Sequence, residues 1–279
     1  MNTIKTVLSA SLISLTMASL PAMAHTHESH GKQAATSFEL MKAINGDHRS
    51  AKNKARDAYR NPKETLAFFG FKPNMTVVEM APGGGWYTEI LAPALKANGK
   101  FYGAHYPDTG EDNYFSKSRR RLEQKMASDE VFSKVELTNF TPRVASDIAP
   151  AGTADLVLTF RNLHNWGEEG VLQVFKDAHK ALKSGGVLGV VEHRMPTSQK
   201  WEDNKRSGYF PEQMTIDLAE KAGFKLAAKS EVNANPKDTA DHPKGVWTLP
   251  PVLRLKEQDK EKYLAIGESD RMTLKFVKM

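Results

Sequence analysis

The stretch Val77-Val78-Glu79-Met80-Ala81-Pro82-Gly83-Gly84-Gly85-Trp86-Tyr87-Thr88-Glu89-Ile90-Leu91 carries the clearest chemistry in this sequence. A short apolar run ending near an acid predicts a buried strand, and three glycines let backbone approach a ligand closely. The helix that follows aims its amide N–H groups into the gap, a place that suits a carboxylate or phosphate. A dinucleotide turn needs G-x-G-x-x-G, but three places after Gly85 stands Thr88. A nucleotide-like cofactor of a different kind is implied.

Two further features bear on chemistry. The chain has no cysteine, which excludes disulfides, a thiol nucleophile and a thiolate metal site. If a leader is cut after Ala24, the new N-terminus is His25-Thr26-His27. A free amine, two amides and the third-position imidazole can then wrap Cu(II) or Ni(II) in a square plane, which makes His25 and His27 metal candidates. The alternative is a polar tail with no role for its histidines.

Such a leader is written in the first 24 residues. Lys5, the apolar run Val7 to Met17 and the small-x-small site Ala22-Met23-Ala24 read as an export signal. That run falls short of the roughly 20 residues a membrane span needs, so no transmembrane anchor is expected and the product is periplasmic or secreted. Removing 24 of 279 residues leaves 255, enough for one large domain. The net charge of +6 is mild, and the Lys117-Ser118-Arg119-Arg120-Arg121 cluster has the spacing of a solvated helix face. No nucleic-acid partner is predicted.

The elements that must position the glycine turn follow from patterning. Residues 25–37 read as a flexible leader and 38–70 as N-terminal helices, one polar pattern from Phe38 to Arg60 and a second from Lys63 to a stop at Gly70. Strands are predicted at Val77–Met80, Lys100–His105, Lys134–Phe140, Ala154–Phe160 and Val187–Glu192. Helices are predicted between them at Trp86–Lys96, Ser116–Ala127 and Val171–Lys183, with Pro93 kinking the first and Ser184-Gly185-Gly186 stopping the last. A helix from Pro211 to Ala222, a strand from Phe224 to Val232, an insertion over about 233–252 and a last strand from Arg271 to Val277 complete the pattern. The fold class is α/β: a doubly wound, mostly parallel sheet with an antiparallel C-terminal edge and an N-terminal helical extension.

The order of motifs resembles the class I S-adenosylmethionine-dependent methyltransferases, in particular an exported bacterial subgroup of predicted methyltransferases. The resemblance covers roughly residues 45 to 279. It is carried by Arg56-Asp57-Ala58-Tyr59-Arg60-Asn61-Pro62, the Ala81 to Tyr87 turn, Phe160-Arg161-Asn162-Leu163-His164-Asn165-Trp166, Leu182-Lys183-Ser184-Gly185-Gly186 and Asp270-Arg271. It implies a Rossmann-like methyltransferase domain over 71–279 and S-adenosylmethionine as cofactor. In the family's V-x-D/E-x-G-x-G-x-G pattern, Glu79 takes the acidic place, and Ala81, Gly83 and Gly85 take the glycine places, with Pro82 and Gly84 between them. Glu79 would orient the cofactor's ammonium group, the backbone of Gly83 to Gly85 would admit its methionine part, and the helix opening near Trp86 and Tyr87 would meet its carboxylate. Asn162, Leu163 and His164 would line the reacting end.

Two departures qualify this. Where the family places a ribose-binding acid at the end of the second strand, this chain has His105, which loses the bidentate bond; Asp108 stands three residues on as a substitute. Ala81 in the first glycine place disfavours a positive φ, so the turn is expected to follow another path, set by Pro82. Methyl transfer needs mainly alignment and exclusion of water, and aromatic faces can aid a sulfonium: Tyr59, Trp86, Tyr87, Phe160 and Trp166 stand in motif regions. A hydroxyl or amine acceptor also needs a base, for which His164, His193 and Glu192 at strand C-terminal ends are candidates. The expected substrate is a small-molecule or lipid-like acceptor. An inactive binding protein of the same fold and a metal-handling exported protein are the competing readings.

Overall fold

The computed structural model describes residues 36 to 279. The expected export signal, most of the leader and the candidate metal ligands His25 and His27 therefore lie outside the described residues.

Four helices precede the sheet: α1 (36–45), α2 (Ala51–Lys54), α3 (Asp57–Arg60) and α4 (Pro62–Phe69). The first three replace the single helix that the Phe38 to Arg60 pattern predicts, and the breaks have local causes. At Gly46 the His48 ring folds back so closely that a Cβ would lie 2.3 Å from it. Ser50, in extended backbone, accepts the Asn53 amide and opens α2 as an N-cap. Arg49 is then fixed by the Ile44 carbonyl and both carboxylate oxygens of Asp57, at 2.7–2.8 Å. α4 behaves as expected, with Pro62 in its first turn and Gly70 closing it at φ +81°.

From there strands alternate with helices: β1 (Thr76–Met80), α5 (Thr88–Leu95), β2 (Lys100–His105), α6 (Tyr114–Ala127), β3 (Val135–Asn139), β4 (Ala154–Phe160), α7 (Leu163–Ala181) and β5 (Leu182–His193). α8 (Trp201–Asn204), α9 (Glu212–Lys221), β6 (Phe224–Ser230), β7 (Pro243–Val246), α10 (Lys260–Ile266) and β8 (Arg271–Lys278) complete the chain. Seven strands form one sheet in the order β3-β2-β1-β4-β5-β8-β6, with β7 outside it. β1 to β5 pair in parallel, and β8 runs antiparallel to both β5 and β6. The doubly wound sheet with antiparallel C-terminal strands is thus present, and β8, last in sequence, slots in beside β5 and leaves β6 at the edge.

Burial on both faces explains the apolar strands. Val77 packs on one side with Leu66, Ile90 and Leu158, and Val78 on the other with Val157, Val174 and Phe175. The strand order reverses between β1 and β4, and that reversal opens a crevice beyond their C-terminal ends.

Three local departures matter. Pro93 sits inside α5 without ending it; the Glu89 carbonyl that it cannot serve is taken by His48 Nε2–H at 2.7 Å. α7 starts at Leu163, eight residues before the expected Val171, and bends at Gly167 (φ +65°, ψ 177°). It ends at Ala181, so Ser184-Gly185-Gly186 is no helix stop but part of a bulge in β5, between the Leu182 and Val187 pairings with β4. Among the described residues no helix is long and apolar enough to cross a membrane.

Candidate functional site

A cavity of about 620 Å³ occupies the crevice. Ala81 and Gly83 after β1, His105 and Tyr106 at the end of β2, Arg161 to His164 after β4 and His193 closing β5 all contribute to its wall, except Leu163. Arg56 and Arg60 border it from the N-terminal helices, and Val246, Trp247 and Pro250 to Val252 border it from the late segment.

The glycine turn is built on strain. Ala81 takes φ +50° despite its Cβ, where its sequence position argued against it; Gly83 and Gly85 follow at +57° and +78°. A left-handed alanine costs roughly 1–2 kcal/mol. It is held by its own N–H donating to the Ala104 carbonyl at 2.8 Å, and by Asn162 Nδ2 donating to the Met80 and Ala81 carbonyls at 3.3 and 3.4 Å. A Cβ at Gly83 would meet nothing within 4 Å, so this glycine is bare backbone facing the cavity. Gly85 instead packs against Leu122, which a Cβ would approach to 2.8 Å, and Gly84 is exposed away from the cavity wall.

Several residues of this motif sit beneath the turn and not on the cavity. Glu79 is buried and accepts a 2.7 Å hydrogen bond from Thr88 Oγ1. Burial pushes its carboxyl up to about 7, against the downward pull of Thr88, Arg161 and Lys125. Trp86 Nε1 donates to the Asn53 carbonyl, and the Arg49 and Arg60 guanidiniums lie 5.1 and 4.7 Å from the ring centre. Tyr87 stacks on Phe160 at 3.6 Å between ring centres. None of Tyr59, Trp86, Tyr87, Phe160 and Trp166 lines the cavity; Tyr106, Tyr114, Phe115 and Trp247 supply its aromatic faces.

At the β2 end, His105 Nδ1–H donates to the Tyr106 carbonyl at 3.2 Å, and Nε2 lies 3.3 Å from Ser118 Oγ. The carbonyl partner puts a proton on Nδ1, and burial lowers the ring's pKa against the upward pull of its backbone hydrogen bonds to Tyr106 and Gly83. Asp108 is committed elsewhere, to the Gly110 N–H at 2.9 Å and Arg120 at 2.8 Å, and does not line the cavity. Ser118, on the basic helix, does line it and had no signal in the sequence beyond that charge cluster.

The reacting-end candidates come together through Glu192. Its Oε1 accepts from His164 Nδ1–H at 2.9 Å and from the His193 amide at 2.7 Å, and its Oε2 accepts the Leu163 amide at 2.5 Å. Leu163 acts through its backbone; its side chain is core. With Nδ1 protonated, His164 Nε2 keeps a lone pair, toward which Asn165 Nδ2 points at 3.0 Å. His193 hydrogen-bonds Ser269 Oγ through Nδ1, and burial holds its pKa well below the ordinary histidine value. Donor atoms of His164, Glu192 and His193 lie within 4.8 Å of one another, a spacing a metal ion can bridge, but such an ion would compete with these bonds.

A group of arginines is the main feature that sequence reasoning left without a role. Glu268 receives Arg56 Nε at 2.7 Å, Arg60 Nε at 3.1 Å and Arg271 Nη1 at 3.2 Å. Burial pushes Arg271 down to about 10. Arg161 takes φ +61° at the end of β4. The signals were present, since Arg56, Arg60, Arg161 and Arg271 all stand in the motifs quoted above.

No family model matches the chain, and no curated protein does either. Solved structures do. An S-adenosylmethionine-dependent methyltransferase from Aquifex aeolicus aligns over 87% of this chain and 98% of its own, at 15% identity and TM-score 0.55. The cyclase SpnF aligns over 89% and 95%, at 14% identity and TM-score 0.55. A geranyl diphosphate methyltransferase in complex with S-adenosylmethionine aligns over 86% and 95%, at 12% identity and TM-score 0.51. The chain is thus built on the class I methyltransferase fold. That fold does not by itself set a reaction, as a cyclase among its bearers shows.

Proposed function

We propose that the protein transfers a methyl group from S-adenosylmethionine to a small-molecule acceptor, with His164 as general base. The observation that carries this is the Glu192-oriented His164 imidazole opening into the same cavity as the bare backbone of Gly83. The residues present fit the cofactor. Gly83 offers the cradle for its amino-acid end, and Tyr106, Phe115, Ser118 and His105 border the space toward β2 where its adenosine would lie. Bound there, the cofactor supplies an electrophilic methyl group on a sulfonium.

The chain's own residues do the rest. His164 Nε2 takes the acceptor's proton, and Glu192 holds the ring and stabilises the imidazolium that forms. His193, kept neutral by burial, leaves that proton with His164. The fold of the neighbours and the cofactor seen in one of them support the reading. Action outside the cytoplasm rests on the export pattern of residues 1–24. A binding protein without transfer is the second reading, favoured by one observation: among the described residues lining the cavity, Glu268 is the only carboxylate, so no acid waits for a ribose.

The test is to measure S-adenosylhomocysteine affinity and methyl transfer to an acceptor panel for wild type and His164→Gln. Unchanged affinity with a rate loss of about 10²–10⁴ supports the base role. Binding without transfer to any acceptor supports the second reading.

A further inference from the structure

We propose that the acceptor carries an oxyanion, a carboxylate or phosphate, which Arg161 binds while the acceptor's nucleophile faces His164; this rests on the methyl-transfer reading above. The cavity wall is unevenly charged: Arg56, Arg60, Arg161 and Arg254 face it against the single carboxylate of Glu268. That carboxylate is already shared among Arg56, Arg60 and Arg271.

Arg161 is different from these. Among the described residues its guanidinium makes no ion pair and no side-chain hydrogen bond, although it lines the cavity and burial disfavours its charge. The carboxylate that most favours this charge, Glu268, is bonded to three other arginines and not to Arg161, so the buried cation has no direct partner and its cost falls when a ligand brings negative charge. The backbone is strained to place it there, since φ is +61° on a residue with a long side chain. Strain of this kind persists where the surroundings over-determine it; here the Arg161 amide donates to the Val191 carbonyl at 2.7 Å and Asn162 is tied to the glycine turn.

Position decides which molecule the charge serves. Arg161 stands three residues before His164 on the connection leaving β4, at the base's end of the cavity, whereas the adenosine wall is at β2. A planar guanidinium matches carboxylate and phosphate oxygens in pairs, which fixes orientation as well as charge. The acceptor class is therefore a small acid whose second functional group, a hydroxyl or amine, is methylated.

The experiment titrates the full chain, saturated with S-adenosylhomocysteine, with benzoate, phenyl phosphate and neutral benzyl alcohol. The proposal expects at least one anion to bind 10-fold or more tightly than benzyl alcohol, and which one binds distinguishes carboxylate from phosphate. Arg161→Met should weaken that anion 10- to 100-fold and Arg161→Lys should recover part of the loss, which separates lost charge from misfolding. Equal weak binding of all three probes overturns the proposal while leaving the methyl-transfer reading intact, because S-adenosylhomocysteine binding reports on that separately. Arg161→Met weakening S-adenosylhomocysteine but not 5′-methylthioadenosine, which lacks the amino-acid carboxylate, would also overturn it, since the oxyanion would then be the cofactor's own.

Discussion

His164, Glu192 and His193 were visible in the sequence as polar residues at strand C-terminal ends, but only their hydrogen bonds rank them. Glu192 accepts three hydrogen bonds and has no face on the cavity, which suits it to orient; His164 lines the cavity, with Asn165 on its Nε2, and is the base of the proposed reaction. Replacing Glu192 by Gln should leave S-adenosylhomocysteine affinity within about twofold and lower turnover at least 10-fold, measured as initial rates. Glu79 illustrates the opposite case, a motif residue whose place under the turn no spacing reveals. Its carboxyl stands at about 7 in the folded chain against the usual 4.5. Between those values the folded state holds the extra proton, so this group's contribution to stability is complete below about 4.5 and is lost as pH rises through about 7. The loss is about 3 kcal/mol at most. Urea unfolding at pH 5 and pH 8 should show Glu79→Gln losing less stability over that interval than wild type. Arg161 was unreadable in a stronger sense, because neither a left-handed φ nor the want of a partner is a property of sequence.

At the scale of elements, the long periodic segments were legible and the punctuation was not. β4 was expected at its observed bounds because a short, partly β-branched apolar run fits a strand buried on both faces and is too short for a buried helix. The Phe38 to Arg60 pattern misled because its polar periodicity continues across Gly46 to Ser50, where the chain turns. Pro93 was expected to kink its helix; it stays inside the helix, and the carbonyl it leaves unserved finds its donor 45 residues earlier, in the His48 hydrogen bond to Glu89. A double-mutant cycle tests this. His48→Ala should cost about 1–3 kcal/mol by orphaning the Glu89 carbonyl. In a Pro93→Ala background the restored helix amide serves that carbonyl, and the same change should cost clearly less. Additive losses would contradict the account.

The whole molecule shows why a crevice forms where it does. Sheet order follows from alternating strands and helices, and the switch between β1 and β4 places the glycine turn, Arg161 and His164 around one opening. The late segment, expected as an insertion over about 233–252, supplies the opposite wall. Asp238 anchors it: it accepts from Tyr209 Oη, the Ala240 amide, His242 Nε2 and the Asp270 amide, all at 2.8–3.1 Å. No pattern in the sequence announced that hub, since its partners span residues 209 to 270. Asp238→Ala should strand these donors and lower stability by roughly 1–3 kcal/mol in urea unfolding, with a weaker cofactor affinity than wild type as its wall loosens.

The central claim is that this crevice binds S-adenosylmethionine against the bare backbone of Gly83. Calorimetric titration of the purified chain with S-adenosylhomocysteine tests it most directly, comparing wild type with Gly83→Val and Gly84→Ala. Saturable one-to-one binding, abolished by Gly83→Val and kept by Gly84→Ala, is the result expected. No binding to wild type, or binding indifferent to Gly83→Val, would contradict it.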